Sequence, residues 1–186
     1  MASDTLPSAA PWVRRLRPLA WGGAAALLLA PWVAMRFTGE VVWTISDFAL
    51  FGALLLVACV AFETVARAAR GPAYLAAGVV AIGAAFLLVW ANLAVGIVEG
   101  PEHPANRMQA GVLLVGIAGA LLARLRPRGM ARTLVAMAAM QAVAGGVALW
   151  MDTREPAAFV LAFTGLYVAA WLLSAALFRK AADARR

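Results

Sequence analysis

Six apolar runs, each about as long as a helix must be to cross a bilayer, alternate with short breaks that hold almost all the charge. They cover about 19–35, 41–65, 74–98, 108–122, 133–150 and 157–178, and only Asp47 and Glu63 among the charged residues fall inside them. Strand-like alternation is missing, so the spans are read as helices, which satisfy their own backbone polar groups in lipid. The breaks carry turn chemistry. Gly71-Pro72 reverses the chain after the second run, and Pro101, Pro104 and Gly100 make 99–106 the longest loop. Pro156 stands where the first turn of a helix accepts it. The expected fold is an all-α integral membrane bundle of about six transmembrane helices. A basic segment over 1–18 precedes it and a basic tail over 179–186 follows. A signal peptide is the competing reading of the first run; no clear small-x-small cleavage site follows it, and the run is read as retained.

Composition supports the pattern. Of 186 residues, 65% are hydrophobic and 13% charged, and the mean hydropathy of +0.86 lies outside the range of soluble domains. Cys59 is the only cysteine and lies in an apolar run, which excludes a disulfide framework. The net charge of +7 would suit nucleic acid, but the arginines sit beside apolar runs and form no patch with stacking aromatics. Their sorting fits a membrane instead. Counting connections alternately, Arg14, Arg15, Arg17, Arg67, Arg70, Arg124, Arg126, Arg128, Arg132, Arg179, Lys180, Arg185 and Arg186 fall on one side. Only Arg36, Arg107 and Arg154 fall on the other. The positive-inside rule then places both termini in the cytoplasm. One lysine among many arginines, alanines and glycines suits a GC-rich bacterial genome, and the expected location is a bacterial inner membrane.

The Arg-Leu-Arg-Pro tetrapeptide at Arg15 recurs at Arg124, on the same expected side both times. An inverted repeat would place the copies on opposite sides, so the recurrence is read as membrane anchoring. Small residues at spacings of four, namely Ala138, Ala142 and Gly146 in the fifth run and Gly165 with Ala169 in the sixth, predict close helix contacts.

Polar residues suggest a site at the outer face. Glu40 and Asp47 are seven apart, two helical turns, so a helix from 41 places them on one face with Trp43 between. Asp47 lies 20 residues from Arg67, and Asn92 lies 18 from Tyr74; both distances are about 27 to 30 Å along a helix, so the two can face one another. Glu99 extends the face of Asn92, and Trp90 joins Trp43 at the rim. The structural alternative is that these carboxylates complement a helix dipole and that Trp32, Trp43, Trp90 and Trp150 form an aromatic belt. Asn106 with Gln109 three residues on resembles a capping box that starts the fourth span. Gln141, in mid-span, is read as interhelical glue, and Met130, Met137 and Met140 as packing. His103 beside Glu99 and Glu102 is a weak metal or proton site at most, and reads as a solvated loop residue. Glu63 and Arg67 have the spacing of a helix pair.

Nucleophile elbows, zinc-protease and phosphate-loop motifs and paired haem histidines are all missing from the sequence, so no catalytic residue, metal or cofactor is assigned.

The stretches Phe37-Thr38-Gly39-Glu40-Val41, Trp43, Asp47-Phe48, Trp90-Ala91-Asn92-Leu93-Ala94-Val95-Gly96-Ile97 and Pro104-Ala105-Asn106-Arg107-Met108 resemble an uncharacterised bacterial family of small multi-pass inner-membrane proteins. The likeness runs from about Arg14 to Arg132. The family pattern has an acidic residue at Gly39, glycine at Glu99, asparagine at His103 and leucine at Arg107. Glu40, Asp47, Asn92 and Asn106 match it. The leading expectation is a non-enzymatic protein whose outer polar pocket, built on Glu40, Trp43, Asp47, Asn92 and Asn106, binds a small solute, ion or peptide. The alternatives are an accessory subunit of a larger membrane complex, with a partner membrane protein or a second copy, and, last, an enzyme acting on lipid or quinone.

Overall fold

A computed structural model describes residues 11–94, 104–151 and 155–184. Among the described residues the regular structure is all helical, in six segments: α1 (Pro11–Phe37), α2 (Ile45–Ala68), α3 (Pro72–Ala94), α4 (Pro104–Ala123), α5 (Pro127–Trp150) and α6 (Ala157–Asp183). Five of these are long and apolar enough to cross a membrane; the apolar part of α4, Arg107–Ala123, is shorter.

The helix ends depart from the apolar runs for local reasons. Helix α2 starts at Ile45 and not at Val41, because Thr44 caps it. Residues 38–44 are not helical, so Glu40 and Asp47 do not share a helix face as the spacing of seven had suggested. Helix α4 starts at Pro104, so Asn106 lies within its first turn and does not cap it with Gln109. That also shortens the expected loop, whose Glu99, Glu102 and His103 lie outside the described residues. Helix α5 begins at Pro127, a proline whose missing N–H costs nothing at the first helical position. Helix α1 runs through Pro18 and Pro31.

The chain forms two compact units, Met1–Arg70 and Gly71–Arg186. The first is an antiparallel hairpin of α1 on α2. Three contacts set its register: Arg17 Nη2 lies 3.1 Å from Glu63 Oε1, Cys59 Sγ lies 3.9 Å from the Ala20 carbonyl oxygen, and Leu28 lies over Gly52. The stripe Arg17, Ala20, Ala24, Leu28, Pro31 and Ala34 is the half-buried side of α1. The 3-4-4-3-3 spacing of that stripe is the seam of one helix against one neighbour.

The second unit packs α4 on α5, α5 on α6 and α6 on α3, with α3 also meeting α4. Neighbours run antiparallel. Glycines set the closest approaches: a Cβ on Gly119 would collide with Thr133, one on Gly145 with Thr164, and one on Gly116 would stand 2.8 Å from Met137 Cε. The predicted small-residue faces are not these. Ala138 is buried, but Ala142, Gly146, Gly165 and Ala169 are exposed, with nothing within 4 Å of a Cβ at Gly146 or Gly165. Spacing of four alone does not say which face of a helix meets its neighbour; Gly145, one residue from Gly146, does the packing. Aromatic side chains fill the α3–α6 seam, where Tyr74 meets Phe178 edge-on with centroids 4.9 Å apart. Trp171, Tyr74, Phe178 and Leu88 are among the largest fully buried side chains.

The second copy of Arg-Leu-Arg-Pro makes the α4–α5 turn. Arg124 and Leu125 take φ of 46° and 56°, left-handed values that side chains disfavour. Tyr74 Oη donates to the Leu125 carbonyl at 2.6 Å and holds the turn. The first copy is helical, within α1. One tetrapeptide thus takes two conformations, decided by whether its proline opens a helix or sits inside one.

Candidate functional site

At the mouth of α2, Thr44, Ser46 and Asp47 consume one another's polar groups. Thr44 is the N-cap, with extended backbone. Its backbone N–H donates to Asp47 Oδ2 at 2.7 Å, and its hydroxyl donates to the same oxygen at 2.7 Å. The Asp47 N–H donates back to Thr44 Oγ1 at 3.3 Å, and the Ser46 and Thr44 hydroxyls are 2.7 Å apart. This is a reciprocal capping box, which satisfies donors a helix N-terminus otherwise leaves open, and the Asp47 charge complements the helix dipole there. The signal was in the sequence as Thr44-x-x-Asp47 ahead of an apolar run. Trp43 turns its ring toward the helix, with centroids 5.2 Å from Phe48 and 5.4 Å from Phe51, both edge-on. Glu40 is exposed in the segment before the cap.

The other expected pocket residues lie apart from this cluster in the chain. Asn92 is half-buried near the end of α3, in the second unit, and the Asp47–Asn92 pairing runs between units and stays an expectation. Asn106 is in the first turn of α4, and its side chain lies outside the described residues. Among the sequence-chosen residues, the structure brings together Asp47 and Trp43 at one helix start, and Gln109 and Gln141.

That second pair is the polar centre of the second unit. Gln141 Nε2 donates to Gln109 Oε1 at 3.0 Å. Gln141 is fully buried and Gln109 is 6% exposed. The bond ties α4 to α5 across an apolar interior, where an unmet amide would cost several kcal/mol. Around the same interior, Ser174 Oγ donates to the Ala77 carbonyl at 2.7 Å, joining α6 to α3. Gln141 Oε1 and Trp171 Nε1 are buried and have no hydrogen-bond partner among the described residues.

Two features escaped the sequence reading. Glu63 pairs with Arg67 at 3.2 Å as its spacing implies, but it also binds Arg17 of α1; an interhelical partner 46 positions away leaves no local signal. Ser174 and Trp171 looked like ordinary members of an apolar run. Met137 and Met140, read from the sequence as packing, do pack, over Gly116 and Gly111.

Set beside known protein families, curated proteins and solved structures, the chain matches none. Among the described residues no three His, Cys, Asp or Glu side chains gather as a metal site would require. The side chains with visible geometry cap, clamp or tie helices.

Proposed function

We propose that this multi-pass membrane protein is an accessory subunit of a larger membrane complex in a bacterial inner membrane, with α1 as its docking helix. One observation carries the reading. Within its own unit α1 meets α2 along a single seam, and no residue of its apolar window is buried there. Its face away from α2 includes Gly22, Ala26 and Ala30, all exposed, and nothing lies within 4 Å of a Cβ at Gly22. Small residues four apart let another helix backbone approach closely. The Asp47 capping box weighs against the solute-pocket alternative, since the carboxylate is already held. Charge sorting supports cytoplasmic termini, and the motifs around Glu40, Asp47 and Asn92 support the likeness to small bacterial inner-membrane proteins.

The test is extraction of the full chain from native membranes in mild detergent, with the mass of the assembly read by native mass spectrometry. The wild type should emerge with a second membrane protein, and Gly22→Leu with Ala26→Leu should release it at unchanged abundance. A wild-type chain that emerges only as free protein overturns the reading. Emergence as a homo-oligomer would replace the foreign partner with a second copy and overturn the accessory role.

A further inference from the structure

The second unit buries a hydrogen-bond acceptor and a hydrogen-bond donor that its described residues leave unmatched. Gln141 Oε1 and Trp171 Nε1 belong to side chains with 0% exposure. Both stand in an apolar interior, where an unmatched polar group costs more than anywhere else in a protein.

The helix register places the two within one helical turn of each other along the axis. Gly145 packs on Thr164, and the helices are antiparallel. Four residues back along α5 is Gln141, level with Val168 on α6, and Trp171 is three residues further, about 4.5 Å along the axis. Side chains in a helix slope toward its own N-terminus. Gln141 therefore leans toward the level of Trp171, and Trp171 leans toward the level of Gln141. The other amide group of Gln141 is held by Gln109, so the free end cannot swing away without breaking that bond.

We infer that Gln141 and Trp171 frame an intramembrane binding site for one small neutral hydroxyl. The chemistry selects the guest. Its oxygen accepts from the indole N–H and its proton is donated to the amide oxygen. A ketone lacks the proton, and a cation lacks the lone pair and would face desolvation with no counter-charge. Water and the hydroxyl of a small alcohol share this chemistry. The site is independent of the proposed docking of α1.

The test is solid-state NMR of the full chain in lipid bilayers with nitrogen-15 in the tryptophan indoles, the Trp171 resonance being assigned by its loss in Trp171→Phe. Magnetisation is transferred from water in one arm and from the hydroxyl of added 1-hexanol in the other. Transfer to the Trp171 indole from water identifies the guest as water; its replacement by transfer from hexanol shows that the site takes a solute hydroxyl. Either supports the site. In Gln141→Met the transfer should fall roughly fivefold, the factor one hydrogen bond carries. A wild-type indole that receives transfer from neither source overturns the proposal, and so does full transfer in a folded Gln141→Met protein. The wild-type spectrum decides even if the variant does not fold.

Discussion

Thr44 and Asp47 hold each other through both backbone and side chain, so neither cap survives removal of the other. Thr44→Ala and Asp47→Ala should each cost about 1 kcal/mol of α2 stability, and the double variant about the same as either alone. Hydrogen exchange at the amides of 45–48 measures it: protection should fall by a similar factor in all three variants. Additive losses would mean two separate roles for the residues. A second contrast separates neighbours in sequence. Gly145→Ala forces a methyl into Thr164 and should lower the melting temperature, while Gly146→Ala, with open space, should leave it unchanged or raise it slightly. The capping role of Asp47 was legible in Thr44-x-x-Asp47, but a carboxylate seven residues from Glu40 also fits a shared helix face. Geometry decides between them, because the helix begins after Glu40. For Gly145 and Gly146 no sequence rule separates the two.

At the scale of elements, polar ties set which helices are neighbours. The Gln109–Gln141 bond should show a coupling of about 0.6 to 1.7 kcal/mol between Gln109→Leu and Gln141→Leu in a double-mutant cycle, measured by unfolding in detergent. In the hairpin, the Arg17–Glu63 pair is one of three contacts that fix register. Because Cys59 is the only cysteine, Ala20→Cys gives a clean reporter. It should oxidise to an α1–α2 disulfide, and Glu63→Ala should slow that reaction by loosening the register. The six apolar runs gave the helices nearly whole, since length and hydropathy act locally. Partner choice was not legible: Glu63 shows its pairing with Arg67 by spacing, whereas Arg17 meets it only through the fold. The two Arg-Leu-Arg-Pro copies make the same point, being helical in α1 and a left-handed turn before α5.

For the whole molecule, the sorted charges make a statement about sidedness. A reporter enzyme that works only outside the cytoplasm should be active when fused after residue 103 and silent when fused after residue 71; the reverse pattern would invert the topology. The basic start of α1 and the arginines around the α4–α5 turn and at the end of α6 were readable from the sequence. The division at Arg70 into two units was not, because nothing in hydropathy distinguishes a helix that packs on one neighbour from a helix that packs on two.

That division has a consequence in time. The hairpin is synthesised first, and at ordinary translation rates the chain beyond Arg70 takes on the order of ten seconds to follow. For that interval α1 and α2 must persist in the bilayer on their own. Their store of mutual contacts is small, and the Arg17–Glu63 pair is the part of it that lipid cannot imitate. Weakening it should tell most in newly made protein, as faster turnover of nascent chains, while molecules that have finished assembly stay as long-lived as before.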